Sequence, residues 1–189
     1  MRIGGIYSFK NGQEIITERH GLELAEVQAV IKAIDVPKNK TLITQQKITP
    51  GKTPYEAASL DNVFSTVFEE KSWQKYRIYC DYPNAHPTNH YSLSQKMSRT
   101  YREISFVKNR VGVEMQFSKD VFKVANVCAQ MTIFHNEDVI DVGIEIVPLK
   151  ELADEMSSGI SYFEQFVWDL EHRGTADIDI PILILGIIP

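Results

Sequence analysis

Hydrophobic positions along the chain change period several times, and the changes mark out its elements. From Val139 to Pro148 the run Val-Ile-Asp-Val-Gly-Ile-Glu-Ile-Val-Pro is nearly continuous β-branched sequence, as a central strand covered on both faces is. Pro181 to Ile188 has the same character and predicts a last buried strand. Leu22, Leu24, Val27, Val30, Ile31 and Ile34 recur at helical spacing, which predicts an amphipathic helix ended by Pro37. Ahead of it, a mixed segment from Ile3 to Phe9 leads into a turn at Lys10-Asn11-Gly12 and then Glu14-Ile15-Ile16. Thr53 as N-cap with Pro54 at the first position starts a helix towards Lys71 that buries Leu60, Val63, Phe64 and Phe68. Tyr76 to Cys80 reads as a strand, and Asp120 to Phe134 as a helix with Val121, Val124, Val127, Cys128 and Met131 inward. Leu149 to Glu155 is a short helix. After the interruption Met156-Ser157-Ser158-Gly159, Ser161 is placed to cap a helix from Tyr162 to Glu171. That last helix brings Tyr162, Phe163, Phe166 and Trp168 to the core or to a subunit contact.

Between these elements lies a strand pair. Ile104 to Val107 and Val111 to Phe117 are joined by a turn at Lys108-Asn109. Side chains alternate faces along a strand, so Val111, Val113, Met115 and Phe117 share one face while Gly112, Glu114, Gln116 and Ser118 share the other. Strands alternating with helices predict an α/β fold with a mixed central sheet flanked by helices. No repeat, low-complexity tract or linker divides the chain, so 1–189 is read as one domain. Ser92 to Arg102 is polar and gives no clear element.

Composition narrows the class. Hydrophobic content of 43% and charged content of 24% are those of a globular protein with a sizeable core. No apolar run is long enough to span a bilayer, and Met1-Arg2-Ile3-Gly4-Gly5 lacks the apolar stretch of a signal peptide, so a cytoplasmic protein is expected. Cys80 and Cys128 form neither a metal spacing nor a disulfide framework, which fits a reducing compartment. A net charge of −5 argues against a general nucleic-acid coat protein. It leaves room for a DNA-reading protein with a local basic cleft, because the relevant field is local.

The chemistry concentrates at Glu114. An ionised carboxylate on a face that a central strand would bury is costly without a partner. Either a divalent cation or a salt bridge supplies one, and spacing alone leaves both open. His86 and His90 have the spacing of a helical metal pair, but Pro87 between them makes them loop residues. The lysine- and proline-rich stretch 36–54 is a solvated loop or else a DNA-backbone or dimer contact.

The block Ser105-Phe106-Val107-Lys108-Asn109-Arg110-Val111-Gly112-Val113-Glu114-Met115-Gln116-Phe117-Ser118-Lys119 resembles the active-site block of type II restriction endonucleases of the BglII/BstYI group, within the PD-(D/E)xK nucleases. These use Glu-x-Gln where most relatives have Glu-x-Lys. The likeness is strongest to the BstYI branch and covers almost the whole chain. It includes Met1-Arg2-Ile3, Tyr7-Ser8, Ile140-Asp141-Val142-Gly143 with Glu145-Ile146, Met156 to Tyr162, and Gly186-Ile187 with Pro189.

The resemblance implies a homodimer enclosing palindromic double-stranded DNA. It implies Mg²⁺-dependent hydrolysis at a GATC-centred site, RGATCY with a four-base 5′ overhang, in a bacterial or archaeal cytoplasm. Glu114 and Gln116 are its catalytic pair, with Glu114 on the metal. The family's first metal ligand is an Asp nine positions before that Glu, and here the position is Ser105, a neutral hydroxyl. The chain is therefore an inactivated variant, an enzyme whose cation is helped by a neighbour, or a DNA-binding protein without catalysis. Glu103, two residues back on the same strand face, is the candidate neighbour. Asn109 also stands where relatives carry an acid. Ser118 and Lys119 fall where this family reaches the major groove, and lysine donates to guanine O6 and N7. Ser157 and Ser158 sit beside Gly159, where the backbone can approach DNA closely. A solvated lysine and a capping serine pair are the bland alternatives. Lys108 and Arg110 contact phosphate or form salt bridges flanking the strand. A third class of reading is an α/β protein in which Glu114 merely pairs with a lysine or arginine.

Overall fold

A computed structural model describes residues 1–34, 57–80, 100–117, 123–156, 159–173 and 178–189, with 123–127 and 173 described as backbone only. Its elements follow the chain as β1 (Arg2–Phe9), α1 (Gly12–Arg19), α2 (Gly21–Ala33), α3 (Ala57–Glu70), β2 (Gln74–Tyr79), β3 (Tyr101–Lys108), β4 (Val111–Met115), α4 (Lys123–Asn136), β5 (Val142–Pro148), α5 (Lys150–Asp154), α6 (Phe163–Arg173) and β6 (Ile182–Ile188). The strands form one six-stranded sheet in the order β1-β6-β5-β4-β3-β2. β4, β5 and β6 run parallel, while β1, β3 and β2 pair antiparallel with their neighbours. The fold is α/β with a mixed sheet and helices on both faces, as the alternation of periods predicts. Among the described residues no helix is long and apolar enough to cross a membrane.

Two apolar layers enclose the sheet. On one face Val111, Val113, Phe117, Val142, Ile144 and Ile146 pack against α1, α2, α3 and α5. Phe68 stacks on Phe106 at 4.6 Å and meets Trp73 edge-on at 5.6 Å, while Phe64 lies 5.4 Å from Phe117. Each such fully buried side chain contributes about 1.5–3 kcal/mol relative to an exposed one. On the other face Gly143, Ile182 and Ile184 meet Cys128, Met131 and Phe134 of α4 and Phe166 and Leu170 of α6. Burial on both faces is why β5 and β6 read as unbroken apolar runs. The aromatics of α6 divide, with Phe166 in the core and Trp168 58% exposed and stacked on His172 at 4.2 Å.

Local readings differ from the structure at several points. Asn11 and Lys10 have positive φ, as expected of a turn, but Gly12–Arg19 then forms a helix that the short apolar pair Ile15-Ile16 does not announce. The tight turn between β3 and β4 is Asn109-Arg110, not Lys108-Asn109. Lys108 pairs with Val111, and both turn residues have positive φ (45° and 68°), as a two-residue hairpin loop of the favoured twist requires. Arg110 is held in that backbone region by ion pairs to Asp141 (2.7 Å) and Asp138 (2.6 Å). Ser161 does not cap α6: its Oγ is buried with no hydrogen-bond partner among the described residues. The Thr53-Pro54 start, the loop with His86 and His90, and Val121 lie outside the described residues. The side chains of Val124 and Val127 do too.

Lys108, at the end of β3, donates to both carboxylate oxygens of Glu26 (2.9 and 2.7 Å) and to the Lys71 carbonyl (2.9 Å). Glu26 also accepts the Trp73 indole N–H at 3.0 Å. This network ties β3 to α2 and to the end of α3, and Lys108 pulls the Glu26 carboxyl below its usual range. The salt-bridge alternative for Lys108 thus has a partner in the fold. Lys108→Met is expected to lower stability by about 1 kcal/mol, a charged hydrogen bond discounted for partial exposure. Urea denaturation at neutral pH measures it.

Candidate active site

The site is built by β3, β4 and β5 on the face covered by α4. Two glycines set it up. A Cβ on Gly143 would lie 2.4 Å from Met131 Sδ, and one on Gly112 would lie 2.8 Å from Ile140 Cδ1. Their absence of side chain lets the covering layer press onto the strands. One residue pair further along the same face, the side chains become Glu114 and Glu145. The parallel register sets Glu114 directly beside Glu145. Glu114 is near the C-terminal end of β4, the end at which open α/β sheets carry their ligand crevices.

Glu114 is partly buried and, among the described residues, held by Ser105 alone. The Ser105 backbone N–H donates to its Oε1 at 2.9 Å and the Ser105 hydroxyl to its Oε2 at 2.6 Å. The hairpin register, with Phe106 opposite Val113, brings Ser105 level with Glu114, and next to it β3 is irregular. Gln74 of β2 pairs with Val107 but Tyr76 pairs with Ile104, so three residues of β3 are spanned by two of β2. This bulge ends the simple alternation. Ile104 packs in one apolar layer and Phe106 in the other, with Ser105 between them facing Glu114. Burial raises the Glu114 pKa, the two Ser105 hydrogen bonds oppose the rise, and the charges of Glu103 and Asp61 add to it.

Glu145 is completely buried, and neither carboxyl oxygen has a hydrogen-bond partner among the described residues. Burial first, and then the charge of Glu114, pushes its pKa well above the carboxylate range. The spacing of the sequence does not single out Glu145 as a site residue. A single acid in otherwise β-branched sequence was the available signal. Asp61 of α3 gave none.

The remaining expected site residues fall differently. Gln116 follows β4, is 3% exposed, and its backbone N–H donates to the Ile146 carbonyl at 2.9 Å, extending the β4–β5 pairing. Glu103 pairs directly opposite Arg77 on β2, and its carboxylate takes ion pairs from Arg77 and from Lys75 (3.8 Å). Asn109 donates from Nδ2 to Glu23 Oε1 at 2.6 Å. Arg110 is committed to Asp138 and Asp141, whose carboxyl it lowers. Ser118, Lys119, Ser157 and Ser158 lie outside the described residues.

An oxygen-only donor set of two adjacent carboxyls, one with both oxygens unpartnered, suits a hard divalent cation. Mg²⁺ in particular is held by one or two carboxylates and keeps several waters. No group of three His, Cys, Asp or Glu arranged to hold a metal occurs among the described residues. Among the described residues Glu114 has no lysine or arginine partner for a salt bridge: its donors are both from Ser105.

A mixed sheet of this order with an acid pair on its central strands is a restriction-endonuclease-like α/β domain. The family model for restriction endonuclease BglII/BglIII matches residues 5–187, and the chain belongs to that family. It is thus a member of a nuclease family whose partner is DNA. Among curated proteins, none matches the chain significantly.

Proposed function

We propose that the chain is a Mg²⁺-dependent type II restriction endonuclease of the PD-(D/E)xK group, nearest in specificity to the BstYI branch. Two copies related by a two-fold axis enclose a palindromic RGATCY duplex, each cutting one strand to leave a 5′ overhang. The observation that carries this reading is Glu114, an acid on a central strand beside a second acid, in a chain matched by the family over residues 5–187.

A bound cation supplies charge neutralisation at the phosphate and lowers the pKa of its water. Glu114 offers that cation a carboxylate oxygen. Ser105 keeps Glu114 in one orientation through its two hydrogen bonds, in place of contributing a charge. Gln116 orients water or phosphate by hydrogen bonding and cannot act as a base, since an amide does not titrate at neutral pH. Ser118 and Lys119, leaving β4, read base edges from the major groove, and Ser157 and Ser158 approach the duplex from the segment after α5. Glu103 contributes its field more than a ligand, because Arg77 and Lys75 engage its carboxylate.

A second reading, a sequence-specific DNA-binding protein without catalysis, is favoured by one observation: Ser105 already satisfies both oxygens of Glu114. Mobility shift with an RGATCY duplex against a scrambled one, followed by digestion of a plasmid with and without Mg²⁺, tests both. Selective, salt-dependent binding is expected, with Mg²⁺-dependent cutting at RGATCY distinguishing the enzyme. Equal affinity for the scrambled duplex would overturn both readings.

The same assay examines Lys108. With its ammonium spent on Glu26, Lys108→Met is expected to leave the slope of log affinity against log salt unchanged. A lost phosphate contact would reduce that slope by about one.

A further inference from the structure

Glu114 and Glu145 stand beside one another on adjacent parallel strands and leave the same face of the sheet. Neighbouring strands are about 4.8 Å apart, so the two side chains leave the sheet side by side. Their surroundings are unequal. Glu114 receives two hydrogen bonds from Ser105, whereas Glu145, wholly buried, receives none among the described residues. Burying a carboxyl without donor or counter-charge is unfavourable, and a leucine or valine would fill this position of β5 without that penalty. All other side chains of β5, from Val142 to Pro148, are apolar. Packing therefore does not account for the acid, whose nearest charged neighbour is Glu114.

We infer that Glu145 is a cation ligand, forming with Glu114 a two-carboxylate site for a divalent cation of the Mg²⁺ or Mn²⁺ type. It supplies the second negative charge that Ser105 does not. The inference rests on the reading of Glu114 as a cation-binding acid and adds the residue that completes it. Glu103 is the less suitable donor, since the site would have to take it from Arg77 and Lys75. Two carboxylates with the remaining positions filled by water and phosphate oxygens are the usual environment of such ions in phosphoryl-transfer sites.

The test is direct titration of the cation-free, full-length protein with Mn²⁺ by isothermal calorimetry, without DNA. E145Q, E145M, E114Q and E103Q are titrated in parallel, with thermal melts to confirm folding. E145M presents an apolar side chain of similar length, so one of the two variants at this position is expected to fold even if the buried amide does not. Wild-type protein is expected to bind Mn²⁺, and E145Q, E145M and E114Q to bind it more than about tenfold more weakly. That is the loss seen when even an outer partner of a metal ligand is removed. E103Q is expected to bind as wild type. Wild-type affinity in folded E145Q or E145M with loss in E114Q or E103Q would overturn the inference and leave the cation-binding reading standing. Absence of Mn²⁺ binding by wild-type protein, or wild-type affinity in E114Q and both Glu145 variants, would overturn both.

Discussion

Ser105→Asp is expected to raise Mg²⁺-dependent cleavage of an RGATCY plasmid by about a hundredfold or more. A carboxylate at this position would hold the cation more firmly, and a well-placed cation contributes several kcal/mol to phosphate hydrolysis. The hairpin already carries the geometry, because its register sets residue 105 opposite Glu114. The same substitution is expected to weaken the cation-free protein. It removes the hydroxyl that donates to Glu114 and puts a like charge beside two carboxyls whose pKa values are already raised. Mg²⁺ binds the folded state preferentially, so it should recover that stability by mass action. Thermal melts of Ser105→Asp in EDTA and in Mg²⁺ are expected to differ more than those of the wild type. A folded Ser105→Asp protein that binds the duplex, yet neither cuts nor responds to Mg²⁺, would refute the proposed catalytic centre.

The second large effect concerns pH. Glu145 is protonated in the folded protein well above the pH at which it ionises in the unfolded chain, because burial and the neighbouring Glu114 oppose its charge. The folded state therefore holds more protons than the unfolded state over that interval. This stabilising contribution is complete below the ordinary carboxylate pKa and is lost as pH rises towards the raised folded value. Glu114, which faces Ser105 and feels Glu103 and Asp61, contributes with the same sign. Asp141 and Glu26, lowered by Arg110 and Lys108, contribute with the opposite sign, losing stability as pH falls. Comparing variants isolates the first term. Cation-free Glu145→Met is expected to be more stable than wild type by a few kcal/mol near and above neutral pH, the scale on which apolar replacements of buried charge stabilise. The gap should close at acid pH. Denaturant melts across the pH range measure it, and a gap independent of pH would show that Glu145 does not titrate as its surroundings require.

Much of the scaffold was legible in the residues. β5 and β6 announce themselves because burial on both faces leaves no polar position to confuse the period. The separation of Val111, Val113, Met115 and Phe117 from Glu114 and Gln116 follows from strand alternation, and the first four line the layer formed with α1 to α3 and α5. That Ser105 faces Glu114 follows only with the turn at Asn109-Arg110, since a turn at Lys108-Asn109 would set Ser105 opposite Gly112. Other features depended on non-local pairing. The match of Glu114 with Glu145 is a register between two parallel strands separated by a helix, and no local pattern specifies it. Ser161, which reads as an N-cap by residue type, is instead buried by the packing around α6. Glu103 reads as a spare ligand until β2 sets Arg77 opposite it.

The surplus residue in β3 has a consequence for how this domain tolerates change. A regular strand would send Ile104 and Phe106 into one layer together, leaving the opposite layer short of a side chain where Ile104 now touches the Gly112 position. Shortening β3 by a single residue at this point would thus unseat both hydrophobic layers in one event, so the segment that carries Ser105 cannot change length without cost to the core of the domain.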